Sequence, residues 1–177
     1  MNAETGTATK KRKAGPRRRT ARLSAVQALY EMEVSGAAVD SVLEEFLKNR
    51  WKEAEREGGA ENALAKPSPA LLSELVHSVA ERGPELDEAI KPALSGDLCI
   101  ERIEPLLKVI MRAAVHELMN PCHDVSAAVI ISEYVDITHA FFSGNEINLV
   151  NGVLGNLARR LRPGEKEAKS GEKQEKL

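Results

Sequence analysis

The sequence predicts an all-α protein: a single compact domain of about seven short helices in two packed helical bundles, with a disordered basic N-terminal arm. Three observations predict it. Apolar residues recur at spacings of three and four through most of the chain, which is the period of a helix face. No stretch alternates apolar and polar residues between turn signals, as half-buried strands do. Gly, Pro and Asn-Pro breaks divide the pattern into short segments with short links, a layout that suits antiparallel helical packing.

Residues 1–16 carry Thr, Lys, Ala, Gly and Pro without apolar periodicity, and are expected to be disordered without a partner. From Thr20 the pattern changes. Leu23, Val26, Leu29, Tyr30 and Val34 predict a first helix, with Gly36 as its stop. A second starts near Asp40, with Val39, Val42, Leu43, Phe46, Leu47 and Trp51 as its apolar stripe. Residues 52–66 read as a frayed end and a loop. Ser68 is placed to cap a third helix and Pro69 suits its first position. Leu71, Leu72, Leu75, Val76 and Val79 line that helix, which is expected to end at Gly83-Pro84.

Leu86, Ile90 and Leu94 predict a short fourth helix, disturbed by Pro92. A helical turn follows around Ile100 and Ile103. Pro105 then opens a helix with Leu106, Val109, Ile110, Ala113, Ala114 and Leu118 buried, ended by Asn120-Pro121. Val125 to Ala140 is the next, with Ala128, Ile131, Tyr134 and Val135 inward. The last carries Ile147, Val150, Val153, Leu154, Leu157 and Leu161, with Gly152 read as a close packing point, and stops at Pro163-Gly164. The domain is thus placed at 17–162, between the arm at 1–16 and a disordered charged tail at 163–177.

Charge is distributed unevenly. The formal net charge is −2. Residues 1–22 hold eight basic residues against Glu4, for +7; residues 23–161 hold 12 basic and 22 acidic, for −10; the rest carries +1. A basic arm is tied to an acidic body. No apolar run reaches the roughly 18 residues that span a bilayer, and nothing before residue 23 resembles a signal peptide. The basic segment at 7–22 lacks the apolar face of a mitochondrial presequence. A cytoplasmic protein is expected, with Cys99 and Cys122 as reduced thiols.

Catalytic and metal chemistry have little support. There is no glycine-rich phosphate loop, no Cys-x-x-Cys pair and no nucleophile elbow. His116, Cys122 and His123, with His139 further on, match no zinc spacing; His116 reads as a core-edge histidine. Glu101 with Glu104, and Glu44 with Glu45, read as solvated helix faces. No enzyme, cofactor or metal is expected. The strongest local signal is Arg17, Arg18, Arg19 and Arg22, where the arm enters the first helix. Arginine forks onto phosphates and stacks on bases, so the layout fits a segment that orders on single-stranded RNA. With aromatics at 3%, a stacking platform is not expected. At Ser143-Gly144-Asn145-Glu146, small polar residues open the last helix. Asn145 or Ser143 is expected to cap it, and its free N–H groups could meet a phosphate.

These residues resemble a known family. The segment at 17–36, RRRTARLSAVQALYEMEVSG, is similar to the opening of the bacterial transcription antitermination factor family NusB, where an Arg-rich stretch leads into A-x-x-A-L-Y. Arg112 with His116-Glu117-Leu118 resembles its Leu-Arg-x-Ala-x-Tyr-Glu-Leu helix. Ile130 to Thr138 resembles its Ala-x-x-Glu-Ala-x-x-Leu-Ala helix, with Glu133 as the matching Glu. Leu149-Val150-Asn151-Gly152-Val153-Leu154 resembles its Phe-Val-Asn-Gly-Val-Leu signature. The resemblance implies a non-enzymatic factor that binds uridine-rich boxA RNA of ribosomal RNA leaders. It acts with the small-subunit ribosomal protein NusE, RNA polymerase and other Nus factors to suppress termination. By the same resemblance Arg18, Arg19, Arg22 and Gln27 contact RNA, as do Arg112, Asn145, Asn148 and Leu149. Glu81 and Glu133 are candidates for the protein-partner face. The free protein is expected as a monomer or homodimer.

This chain departs from the family pattern at His116 for Tyr, Met111 for Leu, Ser132 for Asn, and Leu149 for Phe. Ile130, Tyr134 and Thr138 replace small residues. Two other classes compete. One is a helical RNA-binding domain like the N-terminal domain of ribosomal RNA cytosine methyltransferases, which a catalytic domain after the helices would mark. The other is a protein-only scaffold whose arm is a solubility tail.

Overall fold

The computed structural model describes residues 6–48, 65–96, 98–120 and 125–165. The expectations for Trp51, most of the loop at 52–66, Cys122, His123 and the tail beyond Glu165 lie outside them. Among the described residues every regular element is helical: α1 (Gly6–Ser35), α2 (Val39–Lys48), α3 (Pro69–Ile90), α4 (Pro105–Met119), α5 (Ala127–Phe141) and α6 (Asn145–Leu161). Short 3-10 turns occupy Lys91–Ala93 and Ile100–Arg102.

The hub is α4. Leu107, Val109, Ile110, Met111, Ala113, Ala114, Val115 and Leu118 are all buried, so the helix is covered around most of its circumference, with Lys108 and Arg112 on the half-open side. A helix apolar over most of its surface belongs in a core. Its start is set by Pro105 at the first position and by Glu104, whose Oε2 accepts from the Leu107 N–H at 3.0 Å. α1 and α3 pack on it from one side, with α2 closing their far end; α5 and α6 pack on it and on each other from the other. These are the two bundles, joined through α4.

On α1 the buried face is alanine-rich. Ala21, Ala25 and Ala28 are inaccessible, with Val26 and Leu29 beside them. The stripe is rotated from the expected one: Tyr30 is 36% exposed and Val34 65%. Small side chains let α1 lie close against α3 and α4 at interior packing density. Gly36, at φ 70°, ends the helix by donating its N–H to Met32 O at 2.9 Å. At the other end the helix begins at Gly6, so it reaches into the segment expected to be disordered and runs through Pro16. Lys and Arg, which fill much of that stretch, are good helix formers.

The expected break at Gly83-Pro84 does not occur. Both residues lie inside α3, which continues to Ile90 and merges the two predicted helices. Pro84 removes one helix hydrogen bond, but Leu86 and Ile90 beyond it are fully buried, and their burial, about 1.5–3 kcal/mol each, offsets the loss. Ser68 occupies the N-cap position without a side-chain cap bond; its N–H instead binds Arg17 O at 3.0 Å, tying α3 to α1. In α4 Leu107 is buried where Leu106 was expected. On α5 Ile130, Tyr134 and Ile137 face inward, while Ile131 and Val135 are half-buried.

The second bundle is closed by Arg162. Its guanidinium donates to Leu118 O and Glu117 O, each at 2.8 Å, and to Asn120 O at 3.3 Å, covering the open carbonyl end of α4. It also donates to Val125 O at 2.8 Å and to Glu165. Glu165 in turn accepts the Ala127 N–H at the start of α5, and that backbone bond holds its carboxyl below the usual carboxylate range. Arg162→Ala is expected to lower stability by about 2–3 kcal/mol through the carbonyls it leaves unsatisfied. Urea unfolding measures this, and an unchanged midpoint would show that the clasp contributes nothing.

Candidate nucleic-acid interface

The arginine cluster divides into a buried and an exposed part. Arg22 is 3% exposed. Its Nε and Nη2 fork onto Glu117 at 2.9 and 2.8 Å, and Glu117 is itself buried on α4. The Tyr134 hydroxyl donates to Glu117 Oε1 at 3.1 Å. Burial opposes the Arg22 charge, but the Glu117 bonds and charge outweigh it and leave the guanidinium pKa raised. Burial, then Glu117, push the Tyr134 phenol well up. In this structure Arg22 is therefore turned into the core rather than presented at the surface, where an RNA contact was expected of it. Its place on the buried stripe was visible in advance: it stands four residues before Val26 and seven before Leu29. Glu117 was missed as a site residue, although it sits alone among apolar residues on a helix that reads as buried.

One turn earlier the helix presents Arg17, Arg18 and Arg19. Arg17 and Arg19 are exposed and Arg18 half-buried. Arg19 is ion-paired to Glu133 and Asp136 of α5. Glu133 lies between Arg19 and Arg22 and is half-buried, while Glu81 is exposed on α3. Gln27 is half-buried.

Arg112 stands elsewhere. It lies against Gly83 and edges an open cleft of about 340 Å³ between α1, α3 and α4. Asp87 holds it at 2.7 and 2.6 Å and Glu33 at 3.2 Å. Its charge is matched by these carboxylates.

At the start of α6 Asn145 and Asn148 are exposed, and Leu149 packs partly on the core. The cap is Gly144, at φ 118°, with no side-chain bond to the first turn. Capping by Asn145 or Ser143 is thus not realised, because the positive φ of Gly144 makes the turn. Gly152 is exposed with open space where a Cβ would stand, so it is not the packing point expected.

His116 is buried, with Arg82 Nη1 3.4 Å from Nδ1 and Asn120 Nδ2 3.1 Å from Nε2. Burial, then the Arg82 charge, lower its pKa. Among the described residues no group of three His, Cys, Asp or Glu could hold a metal ion, and no helix is long and apolar enough to cross a membrane.

Fold and site together define an all-helical two-bundle protein with a cationic ridge on its first helix, anchored from inside by a buried arginine. The chain belongs to the NusB family, whose model matches residues 19–159. It is 41% identical over 149 residues to the transcription antitermination protein NusB of Nitrobacter hamburgensis, covering 84% of this chain and 90% of that protein. It is 39% identical over 145 residues to that of Caulobacter vibrioides, covering 82% and 94%. The solved structure of T. maritima NusB superposes with a TM-score of 0.63 at 22% identity, over 80% of this chain and 89% of that one, and shares the fold.

Two outcomes test this geometry. Glu117→Gln leaves buried Arg22 with only Glu133, 3.7 Å away, as counter-charge and is expected to cost about 3 kcal/mol. Replacing Arg22 and Glu117 together by Met and Leu should cost less than the sum of the two single changes, as a denaturant double-mutant cycle will show. His116 gives a pH dependence. Its folded pKa lies below 6.5, so its contribution is complete above pH 6.5 and is lost as pH falls below it, because the unfolded chain takes up the proton first. The loss is at most about 1.4 kcal/mol per pH unit. Thermal melts of His116→Gln should be flatter across that window; equal slopes would exclude the buried neutral imidazole.

Proposed function

We propose that the protein is a non-enzymatic, RNA-binding transcription antitermination factor of the bacterial cytoplasm. It binds boxA-like single-stranded RNA of ribosomal RNA leaders together with the small-subunit ribosomal protein NusE. It acts with RNA polymerase and other Nus factors to suppress termination. The observation that carries the reading is the ridge of Arg17, Arg18 and Arg19 at the head of α1, in a chain of the NusB family.

The mechanism is assembly. Phosphates are taken by the arginine ridge, whose planar forks match them. Asn145 and Asn148 give base-edge hydrogen bonds at the α6 start, with Leu149 as an apolar contact. Gln27 and Arg112 are secondary, Gln27 through its position on α1 and Arg112 because Asp87 and Glu33 already hold it. The acidic body, with Glu81 outward on α3, docks the basic ribosomal protein.

Titration with a uridine-rich RNA, with and without the ribosomal protein and at several salt concentrations, tests the reading. Affinity should fall with salt at a log–log slope of about −0.7 per neutralised phosphate. Changing Arg17, Arg18 and Arg19 together to Ala should weaken binding about tenfold or more and flatten the slope by about 2, three phosphates' worth. Unchanged affinity and slope would sink the placement. No RNA binding by the wild type, even in the joint complex, would favour a protein-only scaffold.

A further inference from the structure

The arginine ridge is partly occupied within the protein itself. Arg19 Nε lies 3.3 Å from Glu133 Oε2, and its Nη2 is hydrogen-bonded to Asp136. Both carboxylates come from α5, three residues apart, so they share one face of that helix. The Arg19 side chain keeps 53% of its exposure, and Asp136 keeps 51%. Glu133 is more covered, at 20%. Its Oε2 is buried without a hydrogen-bond partner. Its other nearby cation is Arg22, at 3.7 Å, whose Nε and Nη2 are given to Glu117.

A phosphate and a carboxylate ask for the same fork of donors. A phosphate that takes Arg19 therefore displaces both acids. Asp136 returns to water at little cost. Glu133 is left with Arg22 alone, and stripping one partner from a covered charge is the expensive event. We propose that Glu133 and Asp136 form a carboxylate gate on Arg19, holding its guanidinium aligned in the free protein and setting a threshold that an RNA phosphate crosses only by displacing them. The gate rests on the RNA reading of the ridge and adds selectivity to it. A lone phosphate competes poorly with two tethered carboxylates. A strand already engaging Arg17 and Arg18 presents its next phosphate to Arg19 at high effective concentration.

Asp136→Asn removes one gate charge at a half-exposed position and keeps the side chain's size. Wild type, Asp136→Asn, Arg19→Ala and the double variant are titrated with a fluorescent oligouridine at several salt concentrations. Asp136→Asn is expected to bind about three- to fivefold more tightly, the scale of an exposed ion pair. Its salt slope should be steeper by about 0.7. In the Arg19→Ala background the same change should do nothing.

Equal affinity of Asp136→Asn and wild type overturns the gate. So does an equal gain in both backgrounds, which would place the effect in the general field of the acidic body. Either result leaves the RNA reading intact, because that is judged on the wild type and the triple ridge variant. If the wild type fails to bind the oligouridine at every salt concentration, with and without the ribosomal protein, the RNA reading falls and the gate with it. A readout free of RNA is the set of Arg19 Nη–H resonances, since Nη2 carries the bond to Asp136; they should exchange faster with water in Asp136→Asn, and unmoved resonances also overturn the gate.

Discussion

A single charged pair sets the geometry of the protein. Arg22 and Glu117 meet in the core, the fork of one on the carboxylate of the other, with the Tyr134 hydroxyl completing the carboxylate's partners. Ion pairs in such places are not strong sources of stability, since desolvation consumes most of the attraction. What they enforce is register. An arginine that must find one carboxylate fixes the rotation of α1 about its own axis and its height along α4. Once Arg22 points inward, Arg18 and Arg19 must flank the same face one turn earlier, at the rim against α5, while Arg17 turns to solvent. The placement of the ridge follows from the pair.

The same pair joins the two bundles. Arg22 belongs to α1, Glu117 to the shared α4, and Tyr134 to α5. One hydrogen-bonded cluster thus spans both halves at the point where aliphatic packing alone would let them slide. Around it the core is made mainly of leucine, isoleucine, valine and alanine with Met111, and among the described residues Phe46 and Tyr134 are its fully buried rings. Apolar contacts of that kind are permissive about orientation. The polar cluster removes the freedom they leave.

Much of this architecture could be read from the residues, and the failures have physical causes. Pro105 and Asn120 bracket α4 as the sequence indicates, and the stripe from Val150 to Leu157 buries as expected. Local signals of this kind depend on neighbours in the chain. Gly83-Pro84 reads as a stop because the local signal is a stop; burial of Leu86 and Ile90 by other helices overrides it. Gly152 reads as a packing point because a mid-helix glycine usually has such a reason, yet its face is open. The site was legible as a cluster but not as a division of labour. Arg22 falls in line with Val26 and Leu29, but the carboxylates that Arg22 and Arg19 meet come from α4 and α5, which the local sequence does not indicate. Glu133 and Asp136 are more than a hundred positions away in the chain, and nothing local marks them as partners of Arg19.

The Arg162 clasp bears on the order in which the protein can be made. A chain leaves the ribosome from its N-terminus, and α1 to α5 emerge before the residue that covers the carbonyl end of α4 and grips Val125. Until α6 and the turn after it have been released, the α4–α5 corner lacks its lock and the second bundle has an open end. The final closure of that corner therefore waits for a residue beyond α6, so that α1 to α6 must all be released before the second bundle is fully secured.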